Sequence, residues 1–470
     1  MSFYHGNEEG QTLGILPGPP PQGLYFWWQA GALWGTMVDY WKYTGDARYN
    51  QITQNALLSQ VGPDQNYLEP NITASIGNDD QAFWGMSAML AAETGFQNPP
   101  PSDPQWLSLA QAVYNSQKGH LDEETACGGG LRWQVIVMNN GYNYKNSIAN
   151  GGFFNIAARL ARYTGEEAYA QTATSTFQWM KDVGFIDQDY NVWDGAHVEK
   201  DCKDINHAQF SYTAAVLLQG AAFMWDFSQD HYWKNQVNGL LHSILEDFFP
   251  NGVFFEPACE GTINVPEGGC TQDMKSFRGF VMRWMADTAQ LCPWTREPIM
   301  TAIKSSAEAA VETCTGGENG RMCGMRWGLR QFDGDVNLGQ EMGVLSALMT
   351  MLLFADGSQI HESSDVISGF INPDGQATSD RAAEYGGHAD PDGYEFQPPL
   401  THDTGGTSVG DPQAGRSRRK QAHDLMSIND FDTVMAILLT TLTMTCVLVM
   451  FMWMGTDNVS QRKKNVSRHD

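Results

Sequence analysis

One joint recurs along this chain. Tyr43-Thr44-Gly45-Asp46-Ala47-Arg48-Tyr49 closes one helix-like run and opens a more polar one, and Tyr163-Thr164-Gly165-Glu166-Glu167-Ala168-Tyr169 does the same later. Ala91-Ala92-Glu93-Thr94-Gly95 is a fainter third copy. Repetition constrains a fold strongly, because each unit must bury the same face against its neighbours. Runs rich in small and aromatic residues begin near Gly23, Gln81, Ala149, Ala208, Phe277 and Leu338, about 55–70 residues apart. More amphipathic stretches lie between them, at 46–60, 104–117, 166–182, 230–248 and 296–312. A helix that is apolar all round belongs inside, and an amphipathic one belongs at the surface. The alternation predicts an all-α fold, an (α/α)6 barrel of inner helices wrapped by outer ones, over residues 1–355. A helical solenoid is the alternative; six units fit closure better.

The long connections at 119–150, 184–207, 250–275 and 314–336 carry the unusual polar residues. Connections longer than about 12–15 residues in compact domains are usually functional or disordered, and the cysteines and aromatics here argue for function. The densest chemistry lies in Gly77-Asn78-Asp79-Asp80-Gln81-Ala82-Phe83-Trp84. Aspartate is favoured at helix starts, so the pair is expected at a helix N-terminus. One aspartate suffices for a cap. A second, beside Phe83 and Trp84, fits glycosidic bond cleavage, which uses two carboxylates.

The formal net charge of −26, with only 28 Lys and Arg, argues against a nucleic-acid partner. Eight cysteines include Cys446 in a C-terminal apolar run. The other seven (Cys127, Cys202, Cys259, Cys270, Cys292, Cys314, Cys323) form no compact metal-ligand pattern and predict disulfides of an exported domain, with one left over. Asn71-Ile72-Thr73 is a glycosylation sequon at Asn71. The opening Met-Ser-Phe-Tyr-His-Gly-Asn lacks the regions of a secretory leader, so the export reading predicts a truncated start. Residues 356–430 are rich in Gly, Asp, Ser and Pro and are expected to form a disordered stalk. The uncharged run 434–454 predicts a transmembrane helix, followed by a short cytosolic tail at 455–470. The helical domain would then be extracellular or lumenal, at the cell surface or on a secretory-pathway membrane.

Taken in order, GNDDQAFWG, CGGGLRWQ, YKNSIANGGFFNIAARLARYTG, KSFRGFVMRWM, CGMRW and NLGQEMGVLSALM resemble glycoside hydrolase family 76, and within it the fungal cell-wall branch of mannan endo-1,6-α-mannosidases. The resemblance covers roughly residues 1–355. It implies an (α/α)6 barrel whose catalytic pair is Asp79 and Asp80. It further implies a retaining double displacement, with Asp79 as nucleophile and Asp80 as acid/base, needing no metal or cofactor. Trp133 is then a candidate to stack on a mannose ring, or a rim residue. Asn146 and Asn150 open an inner helix where substrate hydroxyls would be met; capping is the alternative for Asn150. Asp194, in Trp193-Asp194-Gly195, is either a sugar-hydroxyl acceptor or a turn residue. Tyr212 precedes Thr213, where related proteins show Asn, a lost amide that would alter a sugar subsite. Gln340 and Glu341 either point into the barrel or cap its sixth inner helix. His207 reads as structural. Three activities follow: hydrolysis of α-1,6-mannan; transglycosylation from glycolipid-anchor mannose to wall glucan; or sugar binding without catalysis, which the intact pair disfavours.

Overall fold

A computed structural model describes residues 1–72, 75–260, 269–353, 398–416 and Thr445. Its helices are α1 (Trp27–Thr44), α2 (Asn50–Ser59), α3 (Asn78–Glu93), α4 (Trp106–Glu123), α5 (Ser147–Thr164), α6 (Glu167–Asp182), α7 (Ser211–Ser228), α8 (His231–Phe248), the single turn α9 (Pro257–Glu260), α10 (Met274–Leu291), α11 (Arg296–Glu312) and α12 (Leu338–Met351). Helix α1 packs on α3, α3 on α5, α5 on α7, α7 on α10 and α10 on α12, and α12 returns to α1. The inner ring of six is therefore closed. Helices α2, α4, α6, α8 and α11 lie outside it, so the outer ring has five helices among the described residues. Strands β1 (Tyr144–Asn146), β2 (Gly195–His197) and β3 (Ile205–Asn206) make a small antiparallel sheet in the long connections, with Asn146 opposite Gly195. The sheet is not part of the helical ring, although Ala196 of β2 is buried with the core.

Small residues set the spacing of the inner ring. A Cβ added to Gly31 of α1 would lie 2.8 Å from the Trp84 indole, and one on Gly220 of α7 would lie 2.4 Å from the Phe154 ring. The repeated joints are helix C-caps. Gly45 and Gly165 adopt φ of 70° and 75°, and each donates its N–H to the carbonyl four residues back at 2.8 Å. Glycine reaches that left-handed region without a Cβ penalty, which explains its place in the joint. Thr44 and Thr164 bond the carbonyls of Tyr40 and Leu160 with their hydroxyls.

Deep in the ring, charged side chains pair across helices. Arg283 of α10 donates to Asp39 of α1 at 2.6 Å and to Thr36 at 3.1 Å. Arg159 of α5 forks onto Glu93 of α3, and Gln219 of α7 bridges Asn155 and Asp287. Arg159, Glu93, Asp39 and Asp287 are all buried. Arg159, Gln219, Arg283 and Asp287 line a cavity of about 20 Å³ together with Phe83 and Phe280.

Two expectations about the C-terminal part are revised or left aside. The stalk predicted for 356–430 does not hold for 398–416, which pack on the helical domain, so the domain does not end at 355. Leu400 donates its N–H to the Glu93 carbonyl at 2.6 Å, and Arg162 reaches the Leu400 carbonyl at 3.3 Å. The segment then follows α4: Ser408 accepts the Leu107 N–H, Asp411 donates to Gln111, and Asn115 donates to Pro412 and Ala414. Its affinity for the barrel lies in main-chain groups, which hydropathy cannot reveal. The run 434–454 lies outside the described residues, Thr445 apart; among those described, no helix is long and apolar enough to cross a membrane.

Seven cysteines resolve into Cys127–Cys202, Cys259–Cys270 and Cys314–Cys323, with Cys292 free and buried. The test of the buried belt is Arg283→Met. It leaves Asp39 an uncompensated buried charge, so chemical denaturation should show a loss of about 3–5 kcal/mol. Replacing Arg283 and Asp39 together by apolar residues should recover most of that loss.

Candidate active site

The inner helices all begin on the face that carries the long connections. Asn146, the N-cap of α5, donates its amide to Asp79 in the first turn of α3. Trp28 of the first turn of α1 donates its indole N–H to Asp273, at the start of α10, at 3.1 Å. Tyr212, the second residue of α7, stacks on Phe277 of α10 with ring centroids 3.7 Å apart. Asn337, the N-cap of α12, pairs with Gln272. Six helix N-termini therefore surround one cleft, and their dipoles favour negative charge there. The floor is aromatic: Phe83 touches Trp28 at 4.6 Å, Phe280 at 5.2 Å and Trp284 at 6.3 Å between centroids.

Asp79 and Asp80 stand on this floor, both half-buried. Asp80 reaches back to the Gly77 N–H at 2.6 Å, the side-chain half of a capping box. Asp79 accepts the Asp80 N–H at 2.9 Å. Both side chains thus fold over Gly77, where an added Cβ would lie 2.1 Å from Asp79 Oδ1 and 3.2 Å from Asp80 Oδ2. Only glycine fits there. The loop holding them is fixed from the other side, with Asn78 donating its N–H to the Trp133 carbonyl at 2.7 Å and Gly77 bridged to Gln134. From outside, Gln117 of α4 donates to the Asn78 carbonyl at 2.7 Å.

The two carboxylates have unequal surroundings. Burial pushes Asp79 up to about 7, against hydrogen bonds from the Asp80 N–H, Asn146 and Trp133 that favour its anion. Burial pushes Asp80 well above the usual carboxylate range, and the Asp79 and Asp273 charges push it further. Of the two, Asp80 is therefore the harder to ionise and Asp79 the easier.

The other expected site residues divide. Trp133 is partly exposed beside Asp79, and Asn146 both caps α5 and contacts Asp79 at 3.5 Å. Asp194 is half-buried on the sheet side, accepting from Tyr144 at 2.6 Å and Asn206 at 3.0 Å. Tyr212 lies within electrostatic reach of Asp79, Asp194 and Asp273. Asn150 makes its bonds within the protein. It is fully buried, and its amide clasps both the N–H and the carbonyl of Leu131. Gln340 is likewise fully buried, donating to Asp335 at 2.9 Å, and nothing joins it to the pair. Glu341 accepts the Cys323 N–H, and His207 packs edge-on against Trp193. Asn71 is exposed and bonds Glu69; Thr73 of its sequon lies outside the described residues. Trp28 and Asp273 escaped the sequence reading, since a lone aspartate before a helix reads as a cap. The signal available was Asp273 opening an inner helix, as Asp79 and Asp80 open another.

A helical ring with two adjacent carboxyls at its loop-rich face is the constellation of a glycoside hydrolase. The sequence profile of Glycosyl hydrolase family 76 matches residues 1–363. The chain belongs to that family. It is 40% identical over 351 residues to the mannan endo-1,6-alpha-mannosidase DCW1 of Saccharomyces cerevisiae, covering 74% of this chain and 76% of that protein. It is 35% identical over 458 residues to DCW1 of Eremothecium gossypii, covering 97% and 90%. Among solved structures, Dfg5 from Chaetomium thermophilum in complex with glucosamine superposes with a TM-score of 0.78 at 46% identity, covering 90% of this chain and 94% of that one. The GH76A alpha-1,6-mannanase from Salegentibacter sp. HEL1_6 shares the fold, with a TM-score of 0.58 at 18% identity over 73% of this chain and 95% of that one.

Raised carboxyl pKa values carry a sign. A group pushed up on folding stabilises the native state fully below its unfolded value, about 4, and that contribution is lost as pH rises through the folded value, about 7 for Asp79. The double amide variant Asp79→Asn/Asp80→Asn cannot ionise there. Its unfolding free energy, from chemical denaturation at each pH, should match wild type near pH 4 and exceed it increasingly towards neutrality, by on the order of 1–3 kcal/mol at a half-solvated site. A difference independent of pH would refute the charged, desolvated pair.

Proposed function

We propose that the protein cleaves α-1,6-mannosidic bonds of mannan with net retention of configuration. The observation that carries this reading is the pair of adjacent carboxyls folded over Gly77, with Asp80 the harder of the two to ionise. Asp79 attacks the anomeric carbon, and Asp80 gives its proton to the leaving oxygen. The C–O bond breaks as the carboxylate–sugar ester forms. Asp80, now an anion, then takes the proton of an incoming water or hydroxyl, which displaces Asp79 and restores both groups. The carboxylates sit close together, as direct attack requires; an inverting enzyme needs about 6.5–9.5 Å to admit water between them.

A second reading shares the first half of this path. Glycolipid-anchor mannose is the donor, and a hydroxyl of wall glucan, not water, takes the intermediate. Its support is the Chaetomium relative, whose complex holds an amino sugar. In either case we place the catalytic domain outside the cytosol, on a spanning helix at 434–454. The three disulfides and the uncharged run support that placement.

Two measurements test this. Asp80→Asn should still form the glycosyl ester from a mannosyl fluoride, whose leaving group needs no protonation, and azide should speed its turnover. Asp79→Asn should form no ester. General acid–base help is worth about 10²–10⁴-fold, so natural-substrate losses should be at least that large; wild-type rates in folded Asp79→Asn protein would end the assignment. Products resolved with and without glucan separate the acceptors. For the anchor, full-length protein should remain in membranes after treatment with a phospholipase that cuts glycolipid anchors; its release would show a lipid anchor.

A further inference from the structure

The catalytic pair occupies one wall of the cleft, and α10 faces it. In the ring, α3 and α10 lie opposite each other, two helices apart on either side. Phe83 and Phe280 meet across the axis with centroids 5.2 Å apart. Asp79 and Asp80 lie one turn above Phe83 on the same helix face, by their spacings of four and three residues. Asp273, Phe277 and Phe280 follow the same rule on α10, with spacings of four and three. Asp273 is thus presented above the aromatic floor from the far wall.

Its hydrogen bonding is unusual for its position. Asp273 is the N-cap of α10, yet its side chain makes no capping bond. One oxygen instead accepts the Trp28 indole N–H at 3.1 Å. Its own backbone N–H also bonds the carboxyl, no side chain other than Trp28 donates to it among the described residues, and the residue is half-buried. The stabilisation that a capping Asp normally gives a helix is given up here. A half-buried carboxylate pinned by one indole, across a floor of sugar-stacking rings, is arranged to accept hydroxyl donors.

We propose that Asp273 is a substrate-contact residue of this reaction centre: it accepts a hydrogen bond from a ring hydroxyl of the mannose held between it and the Asp79–Asp80 pair. Trp28 is the positioning residue that aims it. The inference rests on the mannosidase reading, and its test separates the two. Binding of α-1,6-mannotriose is measured by calorimetry on the folded Asp79→Asn/Asp80→Asn protein, with and without Asp273→Asn. A charge-assisted hydrogen bond corresponds to about a tenfold to hundredfold effect, so adding Asp273→Asn should weaken binding by that factor. Trisaccharides lacking one hydroxyl on a single ring identify the partner. For one of them the parent should lose about as much as Asp273→Asn loses on the intact sugar, and the two losses should not add. Trp28→Phe, which keeps the ring and removes the N–H, should weaken binding in the same direction by a smaller factor, and it decides the matter if Asp273→Asn does not fold. Unchanged affinity in a folded Asp273→Asn protein, or additive losses for every deoxy sugar, overturns the inference. A parent that binds no mannotriose overturns the substrate class itself.

Discussion

Closing six helices into a ring with one direction each leaves no choice about their dipoles. Every inner helix begins at the cleft, and the outer helices run back between them. The partial positive charge of six N-termini gathers at one end of the ring. That end carries Asp79, Asp80, Asp194 and Asp273, while the last turns of α1 and α5 carry Lys42 and Arg162. Without that backbone field, four carboxyls around one apolar floor would be difficult to hold. The belt of Arg283, Asp39, Arg159 and Glu93 fixes the same ring from beneath, so the cleft geometry is set by helices and not by loops alone.

Placing charge over aromatic rings creates the chemistry and its cost together. Desolvation drives both aspartates away from ionisation, and the donors from Asn146, Trp133 and the Asp80 N–H oppose it at Asp79. Asp80 receives fewer such donors and a larger burden of neighbouring charge. Two identical side chains, adjacent in sequence, acquire different acidities through what surrounds them. Gly77 permits this, since any side chain there would occupy the space into which both carboxyls fold.

The ring was legible because its signal is periodic and repeated. Inner helices expected near Gln81, Ala149, Phe277 and Leu338 begin at Asn78, Ser147, Met274 and Leu338, and the Thr-Gly joints are C-caps. The pair was legible as two acids where one would cap. Asn150 and Gln340 could not be placed from sequence, because polar residues at inner-helix starts serve two masters: Asn150 clasps Leu131, whereas Asn146, four residues earlier, donates to Asp79. Spacing along a helix does not say which of two polar faces meets solvent once loops cover the helix end. Asp273 was hidden for the opposite reason, since its sequence context matches an ordinary cap and only the structure shows the cap unused. The segment 398–416 was hidden because it binds through its backbone.

That segment changes what counts as one folding unit. Arg162 donates to the Pro399 and Leu400 carbonyls, and Asn115 to those of Pro412 and Ala414. A chain stopped at 355 would leave the buried guanidinium of Arg162 and the amide of Asn115 without those acceptors. The compact unit therefore reaches Arg416, and the side chains of Arg162 and Asn115 are completed by acceptors from more than two hundred residues further along the chain.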